Sequence, residues 1–166
     1  MRLHGSLIPT PWAHNQIDRV PPNTILVSSA PSDVSQAILG GLMALRLRKI
    51  GALGAIIDGR VRDLAELRQV GLPVFSRGVG ISAATAVVYP SELDVAVQIC
   101  LPDGGSITVQ PGQIIVGDEN GVAVIPSHLE DEVVELLPKL LEQDDEVRRA
   151  LEEGRTAGEA FKLRNL

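Results

Sequence analysis

Hydrophobic and polar positions fall into two regimes along the chain. Up to about residue 87, short apolar runs alternate with segments of helical spacing; beyond it, short strand-like runs follow one another at close intervals. Thr24-Ile25-Leu26-Val27-Ser28-Ser29 reads as a strand entered from Pro21-Pro22-Asn23 and broken by Ala30-Pro31-Ser32-Asp33. From Val34 to Ile50, apolar residues at Ile38, Leu42, Leu45 and Ile50 predict a helix, with Ser32 or Asp33 as its cap. Arg46, Arg48 and Lys49 complement its dipole and Gly51 ends it. Gly40-Gly41 disfavours an unbroken helix, by about 1 kcal/mol per glycine. Two readings stay open: glycines that allow close packing inside one helix, or a helix that starts at Gly41 after a turn and leaves amides free for an anion. Gly54-Ala55-Ile56-Ile57-Asp58 reads as a buried strand, and strand, helix, strand in that order implies a parallel βαβ unit. A helix at Leu64-Ala65-Glu66-Leu67-Arg68 and a strand from Pro73-Val74-Phe75 follow, then an irregular loop marked by Gly78, Gly80 and Ser82.

In the second regime, Val95–Cys100 and Ser106–Val109 flank Pro102-Asp103-Gly104-Gly105, which predicts a hairpin. Gln113–Val116 and Val122–Ile125 flank Gly117-Asp118-Glu119-Asn120-Gly121, a second one. That acidic turn is read as turn chemistry rather than a calcium loop, whose ligand spacing is longer. Ser127-His128-Leu129-Glu130 has the form of a capping box opening a C-terminal helix, which Pro138 is expected to kink or split. Thr156-Ala157-Gly158-Glu159 predicts a cap on a last short helix. The expectation is one α/β domain over 1–166, with an irregular segment at 1–22 and a helical segment at 127–166. A short strand is allowed within Arg2–Ile8, and His4 and His14 are read as loop histidines.

Composition narrows the function. Trp12, Phe75, Tyr89 and Phe161 are the only aromatics, so the core is aliphatic and stacking platforms for single-stranded nucleic acid are lacking. Net charge is −6, and Glu130 to Leu166 holds 11 acids against 6 bases. With no basic stripe elsewhere, direct nucleic-acid binding is not expected. A single cysteine, Cys100, no signal-like start and no apolar run of membrane-spanning length lead us to expect a soluble, cytoplasmic protein without membrane contact.

Candidate chemistry concentrates at Arg62-Asp63, where both charges arrive at a strand exit after a run of apolar and small residues. Such exits are where α/β proteins place ligands, and the pair offers an anion clamp beside a hard oxygen ligand. The competing reading of Asp63 is an N-cap for the helix at Leu64, its carboxylate committed to backbone amides. There is no Gly-Lys-Ser/Thr phosphate loop, no paired-cysteine zinc site and no Gly-x-Ser-x-Gly turn.

At these residues the chain resembles the RraA-like family, which includes class II 4-hydroxy-4-methyl-2-oxoglutarate aldolases and regulators that bind a ribonuclease. The family signature is Gly, twenty residues, Arg-Asp, two residues and an acid; here it is met by Gly41, Arg62-Asp63 and Glu66. Pro73-Val74-Phe75 and Gly117-Asp118-Glu119-Asn120-Gly121-Val122 are similar to family segments in the same order, and the resemblance covers about Ile17 to Leu137. The Gly40-Gly41-Leu42-Met43 form is similar to the fungal branch. The resemblance implies a swivelling β/β/α domain, a central mixed sheet with flanking helices and a C-terminal helix. It implies homotrimers or hexamers with sites at subunit interfaces. It further implies that Asp63 holds Mg²⁺ or Mn²⁺, that Arg62 contacts a pyruvyl group, that Gly41, Leu42 and Met43 bind substrate, the Leu42 and Met43 amides receiving its carboxylate, and that Glu66 supports the site as an acid that orients water. The implied substrate is a small keto acid, cleaved by retro-aldol chemistry or decarboxylated like oxaloacetate. Either route leaves a pyruvate enolate, whose charge a divalent cation stabilises as a Lewis acid. The alternatives are a non-catalytic protein-binding regulator or a diverged member with another substrate. The chain departs from the aldolase pattern in carrying Gly41 where many members have an acid, and in a short N-terminal region.

Overall fold

The computed structural model describes residues 2–3, 16–101 and 103–164. His4, Trp12 and His14 lie outside these. The chain divides into two compact units, Met1–Ala123 and Val124–Leu166.

The first unit is built on strand β4 (Gly54–Val61), which is buried along most of its length. Beside it run β2 (Ile25–Ser29) and, further along the same edge, β3 (Ala37–Leu39); β5 (Val74–Val79) takes the other edge. All three pair with β4 in parallel, β2 with Gly54 to Asp58 and β3 with Arg60 and Val61. Between Ile57 and Arg60, β4 advances three residues while β5 advances only from Ser76 to Gly78, a bulge centred on Asp58-Gly59. β4 therefore runs three residues beyond the predicted end at Asp58 and delivers Arg62-Asp63 next to β3.

Helices α1 (Gly41–Lys49) and α2 (Leu64–Val70) cover one face of the sheet. Ala44 and Leu47 of α1 and Leu67 of α2 form a core with Leu39, Ala55, Ile57 and Val61. Because strand side chains alternate, Ile56 and Asp58 point to the opposite face. There Phe75 packs so closely on Gly117 that a Cβ at 117 would lie 2.8 Å from its ring. Arg77 reaches the carbonyl of Cys100 on the same side. This outer layer consists of antiparallel pairs: β7 (Val97–Cys100) with β8 (Ser106–Val109), and β9 (Ile114–Asp118) with β10 (Gly121–Ile125). The α/β architecture is thus realised as hairpins, parallel sheet and helices in layers. Two further short strands, β1 (Arg2–Leu3) and β6 (Val88–Tyr89), pair antiparallel.

The predicted helix from Val34 is corrected. Residues 37–39 are a strand, held by Ala37 N–H donating to Ser82 O (2.8 Å) and by the pairing with β4, and the helix begins at Gly41. Ser32 and Asp33 are consequently not its cap, a position taken by Gly40. Gly51, at φ +89°, ends the helix as expected.

In the second unit, α3 (Glu130–Glu152) is one helix that passes through Pro138 without being split. The Ser127 capping box does not form: Ser127–Leu129 is a 3₁₀ turn, and neither it nor α3 has a side-chain cap. At α4 (Ala157–Ala160) the expected box is complete, Thr156 Oγ1 accepting from the Glu159 amide (3.3 Å) and Glu159 Oε2 accepting from the Thr156 amide (3.0 Å). The Asp118 turn is also of the predicted kind. Its carboxylate accepts from the Asn120 backbone amide (2.8 Å) and side chain (3.2 Å), bonds that hold its pKa below the ordinary value.

Candidate functional site

Two strand-to-helix turns lie side by side at the carboxyl end of the sheet. In the first, β3 passes through extended Gly40 into α1, whose first intrahelical bond is Ala44 N–H to Gly40 O (3.0 Å). The amides of Gly41, Leu42 and Met43 precede that bond, so the helix itself leaves them without acceptors. In the second, β4 passes through Arg62 and Asp63 into α2. The Arg62 amide donates to Leu39 O (3.0 Å), which ties the two turns together.

Asp63 stands at the N-cap position of α2 but makes no side-chain cap there. Its backbone is left-handed, φ +62° and ψ +45°. That conformation costs a non-glycine residue of the order of 1 kcal/mol, less for Asp than for most. It turns the carboxylate toward α1, where Oδ2 accepts the Gly41 amide at 3.1 Å. The capping reading is thereby corrected: the acid serves the N-terminus of the neighbouring helix, where the dipole favours negative charge. Arg62 Nη1 lies 3.5 Å from Asp63 Oδ1, and both side chains are partly exposed. Leu42, 70% exposed, and Met43 follow, with amides unpartnered among the described residues.

Of the two open readings of Gly40-Gly41, the helix start at Gly41 holds and glycines inside one helix do not, since Gly40 is extended. Close approach is nevertheless present, to side chains of the neighbouring turn. A Cβ on Gly40 would lie 2.7 Å from Asp63 Oδ2, and one on Gly41 would fall 2.0 Å from Glu66 Oε2 and 2.6 Å from Glu66 Cβ. Glu66 therefore occupies the space that a side chain at position 41 would need. Gly41, Arg62, Asp63 and Glu66 converge, as the signature spacing leads one to expect.

The donor set suits a hard divalent cation. Among the described residues Asp63 Oδ1 has only the loose Arg62 contact, and Glu66 brings a second carboxylate nearby. Mg²⁺ is commonly held by one or two carboxylates with water and substrate oxygens completing its shell. Among the described residues no group of three or more His, Cys, Asp or Glu is placed to hold a metal ion.

A buried network beneath the site was not foreseen. Asp58, 4% exposed, accepts from Ser29 Oγ at 2.9 Å and pairs with Arg77; the Cys100 amide approaches its Oδ2 at 3.4 Å. It joins β2, β4 and β5 to the hairpin layer next to the β4 bulge. The signal was an acid inside the apolar run Ile56-Ile57-Asp58, because a carboxylate in a buried strand requires a partner.

With this geometry in hand, the chain belongs to the RraA-like family: the family described as Aldolase/RraA matches residues 8–124. It is 29% identical over 140 residues to a Halalkalibacterium halodurans protein provisionally named 4-hydroxy-4-methyl-2-oxoglutarate aldolase, covering 84% of this chain and 64% of that protein. This chain thus spans somewhat less than two thirds of that relative. Among solved structures it resembles an uncharacterised protein from Pseudomonas syringae pv. tomato, with TM-score 0.83, 29% identity and coverage of 95% of this chain and 71% of that one. The RNA-processing inhibitor RraA from Thermus matches with TM-score 0.58 and 25% identity over 70% of each chain. Among the described residues, no helix is long and apolar enough to cross a membrane.

Proposed function

We propose that the protein is a divalent-metal-dependent carbon–carbon lyase acting on pyruvyl acids, of the type of 4-hydroxy-4-methyl-2-oxoglutarate or oxaloacetate. One observation carries the reading: the left-handed turn at Asp63 holds a carboxylate, an arginine and the open amides of α1 within one small region. The Leu42 and Met43 amides bind the substrate carboxylate at the positive end of α1. Asp63 holds Mg²⁺ or Mn²⁺, which when bound supplies Lewis-acid polarisation of the keto group. In retro-aldol cleavage the C3–C4 bond breaks, its electron pair moves to the keto oxygen, and the C4 hydroxyl loses its proton as that carbon becomes a carbonyl. In decarboxylation the same bond breaks with release of carbon dioxide. Both leave pyruvate enolate, which is then protonated at C3. Arg62 places positive charge where the enolate develops. Glu66 orients the water that exchanges the protons, standing where a side chain at position 41 would have been. Assembly as a homotrimer or hexamer would close this exposed turn at a subunit interface.

The purified chain is to be incubated with each substrate, with Mg²⁺ and with chelator, following pyruvate. Metal-dependent release above the metal-only blank is the expected result. A second reading, a non-catalytic protein-binding member, is supported by the likeness to the Thermus inhibitor; a folded protein that releases no pyruvate from either substrate would favour it, or a diverged member with another substrate.

A further inference from the structure

β4 is buried from Gly54 to Asp58 and again at Val61, and Arg60 is its one exposed residue. The middle strand of a parallel sheet is ordinarily apolar, and ligands bind beyond the carboxyl ends of such strands. A cation exposed at that end calls for an account. Arg60 Nη1 donates to the carbonyl of Val79, the last residue of β5, at 3.0 Å. The Val61 carbonyl accepts from the Gly80 amide at 2.9 Å, so the corner is tied across both strands. The Val79 bond fixes where the guanidinium lies but uses only one of its N–H donors. No acid pairs with Arg60 among the described residues. Asp58, two residues earlier, is already held by Ser29 and Arg77. Val79 is 51% exposed and Ile81 97%, which leaves the approach open.

We infer that Arg60 receives the far carboxylate of a keto diacid, and so selects diacids over monoacids at the site proposed above. The inference rests on that reading and adds its specificity. Its basis is the order of three strands. The α1 amides follow β3, Arg62 and Asp63 follow β4, and the Arg60 guanidinium lies at the end of β5. With neighbouring strands about 4.8 Å apart, the two outer groups stand roughly 10 Å from each other with the Arg62-Asp63 turn between them. A five-carbon diacid with a hydrogen bond at each end has a comparable reach. A substrate whose first carboxylate lies on the Leu42 and Met43 amides then sets its keto group at Arg62 and its last carboxylate on Arg60. Charge agrees with this placement. Arg60 and Arg62 balance Asp63 and Glu66, and a divalent cation at Asp63 leaves two positive charges in excess, the charge of the diacid. The remaining N–H groups of the guanidinium suit a carboxylate gripped at both oxygens. In retro-aldol cleavage this carboxylate leaves intact on the departing half, so the contact lasts through bond breaking.

Calorimetry of the full chain with Mg²⁺ present tests this with two ligands: 2-oxoglutarate, which carries the far carboxylate, and pyruvate, which does not. The parent is expected to bind both, 2-oxoglutarate the more tightly. Arg60→Met is expected to weaken 2-oxoglutarate at least about tenfold while leaving pyruvate within about twofold, and Arg60→Lys to recover part of the loss. Unchanged pyruvate affinity also establishes that the site of the variant is folded. Parent affinities that do not differ, or equal weakening of both ligands by Arg60→Met, would overturn the inference and leave Arg60 as a brace between β4 and β5. Unchanged 2-oxoglutarate affinity in Arg60→Met would overturn it too, while the site reading survives on pyruvate binding. Failure of the parent to bind either ligand would instead remove the proposed site, and this inference with it.

Discussion

Asp63 combines a left-handed backbone with a carboxylate that bonds to another helix, so the two properties can be separated by mutation. Asn tolerates that backbone and keeps an oxygen acceptor for the Gly41 amide, but lacks the charge. Asp63→Asn is therefore expected to melt within a few degrees of the parent while losing metal-dependent pyruvate release and Mn²⁺ binding by calorimetry. Unchanged turnover would remove Asp63 from the mechanism. Gly41→Ala tests the close approach. At an open helix position the change would gain up to about 1 kcal/mol in helix propensity. Here the new methyl meets the Glu66 Cβ at 2.6 Å as well as its movable carboxylate, so overpacking is expected to reverse the sign, to a loss of about 1–3 kcal/mol in denaturant titrations.

At the scale of elements, the outcome depended on how far away each element's partners lie in sequence. The β4 strand and the α4 capping box were legible because apolar runs and Thr-x-x-Glu act locally, while the α1 start at Gly41 was only one of two readings left open. β3 was not. Ile38, Leu42 and Leu45 have helical spacing, yet residues 37–39 are held by Ser82, Arg60 and Val61, partners that no local pattern reveals. The backbone approaches there too: a Cβ on Gly80 would lie 2.8 Å from Ser35 O and 3.0 Å from Ala37 N. The site was legible as spacing, Gly41 to Arg62-Asp63 to Glu66, but the direction of the Asp63 carboxylate depended on a tertiary contact. Ser127 failed as a cap because the 3₁₀ turn after Pro126 delays the helix to Glu130. Thr156 succeeded because both arms of its box close. That box predicts a pH response. Bonds from the Thr156 side chain and amide hold the Glu159 pKa below its ordinary value. Its stabilisation is then present above the unfolded-state pKa and lost as pH falls through the lowered one. The Thr156 and Glu159 amides should show fraying of α4 on acidification in NMR titrations, and a Glu159→Gln variant should show a weaker dependence.

For the whole molecule, the two units differ in what they bury. Met1–Ala123 contains the aliphatic core around β4, whereas the buried cluster of Val124–Leu166 is Val147, Ala150 and Ala160. Opening free energies follow buried apolar contacts. In native-state hydrogen exchange, amides of β4 should therefore be the slowest, and those of the first half of α3, where Val134, Leu137 and Leu141 are exposed, much faster. Uniform protection across both units would instead indicate a single cooperative unit.

The left-handed turn at Asp63 also bears on what mutation and selection would do to this chain. At such a dihedral pair glycine is relaxed and asparagine tolerated, so a library screened for heat resistance alone should drift toward glycine or asparagine at position 63. A screen that also demands pyruvate release should hold aspartate there against that drift. The difference between the two residue distributions would measure how strongly the chemistry, rather than the fold, requires that carboxylate.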